Sequence, residues 1–426
     1  MASDSALTET DPDAGAGPDP VAQAPAAAQE ERRPSLRRDA SVSAVLAGLI
    51  AVLVSYSGPL VIVLAAAAAG HLTQGQTSSW VWAISIGSGL TCVLLSFRTR
   101  MPVITAWSTP GAALLVTSLG AYAYKDAIGA FLVSGVVITV IGVTGVFSRL
   151  LRLVPAAVVS AMLAGILFPF GVGVFTSVRT APLIAGGVLV AFVVCRRWVP
   201  RYAVLVALVV GVAASAVDSR LHVHLNGFDL ARPVFTSPHF SAPALVGIAI
   251  PLIVATLASQ NAPGIAVLTS AGYDPDDRLL IGTTGVASTL LAPFGSHAIN
   301  LAAITAAICT GPESHPDRRR RYVAGISCGV FYLLVGSFGT ALVVLFAGLP
   351  AELVAAIAGV ALFGALANSL AGAVAETKDR EAALIAFLAT ASGLTLGGIG
   401  SAFWGLVFGT AAHLILSMHR RPAQTV

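Results

Sequence analysis

Apolar runs of about twenty residues recur from Ser41 to the end of the chain, and this repetition constrains the fold more than any other feature. A helix that crosses the hydrocarbon core of a bilayer needs about 20 predominantly apolar residues. Charged residues make up only 10% of the 426 residues, and the mean hydropathy is +0.86. Runs of this length indicate helical spans and not the short alternating strands of a membrane barrel. We therefore expect an all-α integral membrane protein without a separate soluble domain.

The apolar runs divide into fourteen predicted transmembrane segments, of which the third and the tenth are short and irregular. With the N-terminus in the cytoplasm, 20 of the 24 lysines and arginines fall on the cytoplasmic side. This bias follows the positive-inside rule, and it predicts that both termini are cytoplasmic. The approximate segments are 42–69, 78–97, 103–121, 126–148, 153–175, 180–196, 202–217, 242–271, 279–293, 297–310, 322–347, 351–372, 381–396 and 399–417.

The longest predicted outer loop follows the seventh segment and divides the fourteen segments into two halves of seven. Because each half has an odd number of spans, the second copy must be inverted relative to the first. The N-terminal tail is rich in Ala, Pro, Asp and Glu and lacks the apolar content to fold, so it is expected to be disordered. The predicted organisation is a cytoplasmic tail at 1–40, a first repeat at 41–217, the outer loop at 218–241, a second repeat at 242–418 and a cytoplasmic C-terminus at 419–426.

Proline and glycine interrupt the apolar runs at matching places in the two halves. Pro59 in "SYSGPL" and Pro263 in "SQNAPG" are expected to break the first and eighth segments. Pro110 in "TAWSTPGAALL" is expected to break the third, whose partner in the tenth reads "PFGSHAINLA". Short, interrupted segments at corresponding positions of two halves are typical of a transporter binding site. The sequence therefore predicts a binding site where these breaks meet.

The expected register between the broken segments matches Trp107 to Phe294 and Pro110 to His297, with a half-helix starting near Pro110 and near His297. Each half-helix would point free backbone N–H groups at the site and attract an anion without a buried Arg or Lys. Aromatic, hydroxyl and amide side chains nearby suit a small organic anion with a ring, although close helix packing is the alternative explanation for the small residues. The candidate site residues are Tyr56, Trp107, Ser108, Thr109, Gly111, Gln260, Asn261, Phe294, Ser296, His297, Ala298 and Asn300.

Acidic residues are missing from the middle of every predicted segment, since all 20 fall in the tail, in loops or at segment ends. A carboxylate relay through the bilayer centre is therefore not expected. His297 is the one histidine at a broken segment, and histidine changes charge near neutral pH. We expect His297 to carry a coupling proton, with a neutral histidine held by a backbone carbonyl as the alternative. Glu376, which begins "ETKDRE", is expected to be a solvated loop charge, and His413 lies near the cytoplasmic end of the last segment.

Four stretches, "TAWSTPGAALL", "ASQNAPGIAVL", "APFGSHAINLAAI" and "ETKDREAALIAFLATASG", closely resemble the benzoate/proton symporter (BenE) family of bacterial inner membranes. The resemblance covers roughly residues 40–418 and implies the uracil-permease-like fold that sulfate permeases share. In that fold, segments 1–4 and 8–11 form a core domain and segments 5–7 and 12–14 form a gate domain. The nucleobase branch carries glutamates in the eighth and tenth segments. Gln260 and His297 stand at the matching positions here, which disfavours a nucleobase.

The resemblance implies a secondary active transporter, not an enzyme, that imports benzoate or a related aromatic carboxylate with H+ by alternating access. An inorganic anion or nucleobase carrier on the same fold, an anion channel and a membrane enzyme are the alternatives. The expected partners are the aromatic carboxylate, H+ and the lipid bilayer, and the sequence leaves a homodimer open. No cofactor, metal or nucleic acid is expected.

Overall fold

The computed structural model of the chain describes residues 36–147, 149, 155–221 and 230–418. Residues 1–35 of the predicted tail, residues 222–229 of the predicted outer loop and the predicted C-terminus at 419–426 lie outside the described residues. The chain divides into two units, Met1–Asp39 and Ala40–Val426. The described part of the first unit is a short helix, α1 (Leu36–Asp39).

The second unit is helical apart from two three-residue strands, β1 (Thr105–Trp107) and β2 (Ile299–Leu301), in its described residues. The helices of its first half are α2 (Val42–Ser57), α3 (Pro59–Ala69), α4 (Gln74–Thr99), α5 (Thr109–Ser118), α6 (Tyr124–Thr144), α7 (Ala156–Thr180), α8 (Gly187–Trp198) and α9 (Ala203–Val217). Those of its second half are α10 (Ala242–Ser270), α11 (Asp277–Leu291), α12 (Ile304–Thr310), α13 (Tyr322–Ser337), α14 (Gly339–Ala347), α15 (Ala351–Val374), α16 (Arg380–Ala391) and α17 (Ser401–Met418). Short 3-10 or π turns occupy Leu119–Ala121, Pro182–Gly186, Pro200–Tyr202, Leu245–Ala249, Leu257–Asn261, Ala292–Phe294, Arg318–Arg320 and Thr377–Asp379.

Several of these helices are long and apolar enough to cross a membrane. Among the described residues there are six such stretches, and a seventh if the bent pair Arg318–Ser337 and Gly339–Phe346 is one span. This pair bends by 69°. The six are Val42–Ala69, Gln74–Thr99, Tyr124–Thr144, Ala156–Thr180, Ala242–Ser270 and Ala351–Val374. The predicted class, a helical integral membrane protein, is therefore confirmed.

Glycines let the two halves approach closely where α4 packs against α13 and α6 packs against α11. A Cβ atom at Gly329 of α13 would lie 2.6 Å from the carbonyl oxygen of Gly89 in α4. A Cβ atom at Gly285 of α11 would lie 2.6 Å from the backbone nitrogen of Thr139 in α6. Larger residues at these positions would push the helices apart, because neither backbone can move aside. β1 packs against α4 and β2 against α11, so the two closely packed helix pairs support the broken segments.

The prolines act differently in the first, third and eighth predicted segments. Pro59 begins α3 after a break at Gly58, and Pro110 lies in the first turn of α5, so both interrupt a helix as expected. Pro263 does not break its helix, because α10 runs from Ala242 to Ser270. A π turn at Leu257–Asn261 shifts the hydrogen-bond ladder, and Pro263 falls in the first turn of the α-helical stretch that follows. Because the π turn already shifts the hydrogen-bond ladder at this point, the helix accommodates the proline and continues, and the predicted break at Pro263 was wrong.

Candidate substrate site

The two broken segments meet as an antiparallel pair of strands in the interior of the second unit. The helix breaks leave backbone groups without intrahelical partners, and a membrane protein must satisfy such groups within the protein. The strand pairing does this, and it continues at both ends through hydrogen bonds from Ser108 N–H to Ala298 O and from Ala302 N–H to Ile104 O, at 3.2 and 2.9 Å. The paired residues are Thr105 with Leu301, Ala106 with Asn300 and Trp107 with Ile299.

The register of the second broken segment differs from the expected one. A half-helix was expected to begin near His297, but α12 begins at Ile304, after β2. The last strand residue before the helix is Trp107 in the first copy and Leu301 in the second, so the expected match of Trp107 to Phe294 was also wrong. The physical reason is local. In the first copy a capping serine and a proline start the helix directly after the strand, whereas the second copy stays extended because β1 supplies its hydrogen bonds.

Ser108 fixes the start of α5. Its side-chain oxygen accepts a hydrogen bond from Gly111 N–H at 3.1 Å, which is the usual role of an N-cap serine. Thr256 of α10 donates to the same oxygen at 3.4 Å, so α10 lies directly beside this cap. A Cβ atom at Gly111 would come 2.5 Å from Leu252 Cδ1, also in α10. The glycine therefore permits the close approach of α5 and α10.

His297 bridges α4 and the start of α5 with both of its ring nitrogens. Its Nδ1 accepts from the indole N–H of Trp80 at 3.0 Å, and its Nε2 lies 2.9 Å from the carbonyl oxygen of Ser108. An indole can only donate and a carbonyl can only accept, so the ring is neutral with its hydrogen on Nε2. A second proton on Nδ1 would face the indole N–H and break that bond. The side chain is 1% exposed, and its geometry is that of a histidine held by a backbone carbonyl.

Trp107 lies in an aromatic group inside the protein. It is 2% exposed, and its ring centroid is 5.4 Å from that of Tyr56 and 5.9 Å from that of Tyr332. The two tyrosine hydroxyls donate to Ser85 and Ser55, each at 2.6 Å. This group packs between α2, α4 and α13, and it includes Trp107 of β1. The sequence analysis did not single out Tyr332, since nothing marks it within an uninterrupted apolar run.

A second aromatic group surrounds His297. The rings of Trp80 and Phe131 lie 5.6 and 6.3 Å from the imidazole, and Tyr124 lies 6.5 Å from Trp80. Trp80 was also missed, because it lies in the uninterrupted second segment. Phe294 belongs to neither group, since its ring contacts those of Trp82 and Phe235, both at 5.9 Å. The structure therefore does not bring Phe294 to Trp107.

Several polar groups close to the strand pair tie α10 to β2 or lack a partner. Asn261 accepts from Leu301 N–H at 2.9 Å, while its amide nitrogen has no hydrogen-bond partner among the described residues. In the amide orientation that satisfies both of its groups, Asn300 accepts from Ser108 N–H at 3.0 Å and donates to the Leu301 carbonyl at 2.9 Å. Within the same part of the chain, the Ser296 hydroxyl and the Trp107 indole N–H are buried without a partner.

Three of the candidate site residues are half-buried, namely Thr109, Gln260 and Phe294, and the others are buried. Gln260 lies about one turn beyond Thr256 on α10, in the turn Leu257–Asn261 that packs against β2. Within the described residues its amide makes no hydrogen bond, so two N–H donors are free there. Neutral amide donors and a helix N-terminus can bind an anion without the cost of burying a cationic side chain. The described residues contain no cluster of His, Cys, Asp or Glu that could hold a metal ion.

Comparisons with known proteins identify the family of the chain. The family described as "Benzoate membrane transport protein" matches residues 38–415. The chain is 43% identical to the benzoate membrane transport protein of Acinetobacter baylyi (strain ATCC 33305 / BD413 / ADP1) over 382 residues, 90% of this chain and 97% of that protein. It is 41% identical to the inner membrane protein YdcO of Escherichia coli (strain K12) over 374 residues, 88% of this chain and 96% of that protein.

Solved structures show a similar fold at low sequence identity. The overall structure of SLC26A9 matches 88% of this chain and 65% of that chain, with a TM-score of 0.55 and 14% identity. The transmembrane domain of the cyanobacterial bicarbonate transporter BicA matches 88% of this chain and 96% of that chain, with a TM-score of 0.52 and 16% identity. Taken with the sequence matches, the chain belongs to the benzoate membrane transport protein family, a family of membrane transporters and not of enzymes.

Proposed function

We propose that this protein is a secondary active transporter that imports benzoate or a related aromatic carboxylate across a bacterial inner membrane together with H+. The name of the Acinetobacter baylyi relative supports the substrate class. The observation that carries the proposal is the Gln260 amide, which makes no hydrogen bond among the described residues and is half-buried in the turn Leu257–Asn261 of α10, which packs against β2. This is a place where a membrane-buried anion could be hydrogen-bonded without a cationic residue.

The proposed architecture has fourteen segments in two inverted repeats, at 41–217 and 242–418, with both termini in the cytoplasm. Segments 1–4 and 8–11 form the core domain, and segments 5–7 and 12–14 form the gate domain. The antiparallel pairing of β1 with β2 supports this arrangement, because inverted copies of one segment run in opposite directions where they meet. A homodimer stays open.

In the proposed site, the carboxylate accepts hydrogen bonds from the Gln260 amide and from the first backbone N–H of α5, at Thr109. An ionised carboxylate buried without hydrogen bonds would cost several kcal/mol, so these donors decide whether the anion can leave water. Of the other predicted site residues, Phe294 lies apart with Trp82 and Phe235, and the rest form the proposed surroundings of this position. These are Tyr56, Trp107, Ser108, Gly111, Asn261, Ser296, His297, Ala298 and Asn300.

Transport follows from rocking of the core domain, which carries the site, against the gate domain. The proton-carrying role of His297 stays a prediction of the sequence. In the conformation described, both ring nitrogens already have partners, so proton uptake there would require the Trp80 bond to break. A His297→Gln protein that keeps gradient-driven uptake would exclude His297 as the proton carrier.

Uptake of labelled benzoate into proteoliposomes tests the proposed function. Benzoic acid crosses lipid unaided, so the quantity to measure is the initial rate above that of protein-free liposomes. We expect the full chain to give a protein-dependent rate that rises when the lumen is made alkaline and falls when unlabelled substituted benzoates compete. Competition by uracil, sulfate or bicarbonate, without competition by substituted benzoates, would contradict the proposed substrate.

Gln260→Leu removes the amide donors from the proposed site. We expect the protein-dependent rate to fall by tenfold or more, since one lost hydrogen bond to a charged group is worth about 1.5–3 kcal/mol. Gln74→Leu is the matched control, because Gln74 is exposed at the start of α4, away from the strand pair. Equal rates in the two variants would show that the Gln260 amide does not bind the substrate.

A further inference from the structure

The stretch "ETKDRE" separates into one exposed and one buried carboxylate. Glu376 is exposed and lies 2.7 Å from the ammonium group of Lys378, whose hydrogen bond lowers the pKa of that carboxyl. Asp379, three residues later, is 8% exposed and is the one acidic residue that is buried among the described residues. It lies immediately before α16, which packs against α7 and α17.

Asp379 makes a direct contact with His413 of α17. The Nδ1 atom of His413 lies 3.1 Å from Oδ1 of Asp379, and the two side chains are 25% and 11% exposed. Apolar packing surrounds the helix ends that carry the pair, since alanines of α7, α15 and α16 form a small core cluster there. The cluster consists of Ala157, Val158, Ala161, Ala373, Ala382, Ala383 and Ala386.

Few other charged groups lie on the elements packed against this pair. On α17, His413 is the one titratable residue, and the charged residues of α7 and α15 are Arg179 and Glu352, each at the opposite end of its helix. The neighbours on its own segment are the Glu376–Lys378 pair, Arg380, whose Nε donates to the Val374 carbonyl at 3.0 Å, and the exposed Glu381. Among the described residues, His413 is therefore the titratable side chain in direct contact with Asp379.

The pair can bind one proton with little rearrangement. A neutral His413 donates its Nδ1 hydrogen to Asp379, which leaves the pair with one negative charge. A proton from water then binds Nε2 of His413, which has no hydrogen-bond partner among the described residues, and the pair becomes neutral overall. A pair that is neutral overall costs less than a single unpaired charge in apolar packing.

We propose that Asp379 and His413 form a proton-binding site at the cytoplasmic end of the gate domain, from which the coupling proton is released to the cytoplasm. The inference rests on the proposed proton-coupled transport. It differs from the sequence prediction because His297 has both nitrogens engaged, whereas His413 keeps one free. Protonation changes the contact that joins α16 to α17, so it changes the gate against which the core domain moves.

Two transport measurements on the full chain in proteoliposomes test the pair. The first is the ratio of protein-dependent benzoate uptake rates with and without a pH gradient of one unit. The second is exchange of labelled for unlabelled benzoate at equal pH, which needs substrate translocation but no net proton movement. The variants are Asp379→Asn and His413→Asn. The second keeps an amide N–H near the position of Nδ1 but cannot take up a proton. Glu376→Gln is the control, because it removes a carboxylate from the same stretch.

We expect the wild-type protein and Glu376→Gln to show a higher rate with the gradient, which can drive about tenfold accumulation when one proton moves with each substrate. Both pair variants should lose this increase and keep exchange within about twofold of the wild type. If both variants kept the rate increase with the pH gradient, Asp379 and His413 would not be the proton site. Loss of exchange together with the increase would also overturn it, because it would show a structural role. A wild type without protein-dependent uptake would instead reject the proposed function, and this inference with it.

Discussion

The two broken segments run antiparallel through the same strand pair, yet their half-helices are fixed in different ways. Helix α5 has ten residues and starts two positions after its strand, with Ser108 as its N-cap and Pro110 in its first turn. Helix α12 has seven residues and starts three positions after its strand, behind Ala303, whose side chain offers no acceptor. The stronger local start therefore belongs to the first copy.

At the C-terminal ends of the two half-helices, α12 has the stronger contacts. Arg321 donates to the carbonyl of Thr310, the last residue of α12, at 2.6 Å and to that of His315 at 2.7 Å. A guanidinium at a helix C-terminus satisfies free carbonyls and complements the helix dipole. Beyond the far end of α5, Tyr122 instead donates to Gly398 in the loop between α16 and α17, at 2.7 Å. Helix α5 is therefore fixed at its N-terminus, and the residue beyond its far end contacts the proposed gate domain. Helix α12 is fixed at its C-terminus by a residue of the proposed core domain.

Removal of Arg321 should have the largest effect on this comparison. In Arg321→Met the carbonyl of Thr310, which ends α12, and the carbonyl of His315 in the following loop lose their charged partner, and each such hydrogen bond is worth about 1.5–3 kcal/mol. We expect the free energy of unfolding in detergent to fall by about 2–3 kcal/mol, measured by denaturation of the purified protein. Arg319→Met is the matched control, because Arg319 is exposed in the same basic run. An equal loss in both variants would show that the charge, and not the cap, stabilises the fold.

Removal of the Ser108 hydroxyl should have a smaller effect. An N-cap serine replaced by alanine typically costs about 1 kcal/mol, and Pro110 still favours the start of α5 in Ser108→Ala. We expect an unfolding free energy lower by about 1 kcal/mol, measured under the same conditions. Thr117→Ala is the control, since Thr117 lies exposed in the same helix and donates only to Leu114. A loss larger than that of Arg321→Met would reverse the comparison between the two half-helices.

The sequence predicts the first broken segment better than the second, for a physical reason. The cap and helix start of α5 depend on neighbours in the chain, so Ser108, Pro110 and Gly111 reveal them directly. The start of α12 depends on β1, a distant partner, and the pairing extends the second copy seven residues further than the sequence indicated. Long-range pairing leaves no local signal in an apolar stretch this short.

Burial is the second property that the sequence could not supply. Trp80 and Tyr332 lie in uninterrupted apolar segments, and only packing between helices shows that they contact His297 and Trp107. Asp379 is the opposite case, because it is buried although a charged residue at a segment end is usually solvated. It lies immediately before α16, whose packing against two other helices no single segment of sequence reports.

The contact between Tyr122 and Gly398 should have the smallest effect on stability and a measurable effect on transport. It adjoins a cleft of about 90 Å³ between α5, α7 and the loop that joins α16 to α17. The cleft is lined by Leu114, Thr117, Ser118, Gly165, Ile166, Pro169, Gly247, Thr390, Ala391, Gly393, Thr395, Gly400, Ser401 and Ala402. If the core rocks against the gate, this hydrogen bond must break whenever the cleft widens.

Tyr122→Phe removes that bond and keeps the ring. We expect an unfolding free energy within about 0.5–1 kcal/mol of the wild type, because the bond is partly exposed to water. The same energy shifts the balance between closed and open cleft by up to about fivefold, and apparent affinity follows the population of the open state. The concentration of benzoate that half-saturates exchange from the outer side should therefore fall by up to about fivefold. Tyr124→Phe is the control, since the Tyr124 hydroxyl makes no hydrogen bond within the described residues. An equal shift in both variants would mean that the contact between α5 and the loop does not hold the cleft closed, and that the two half-helices differ only in how they start.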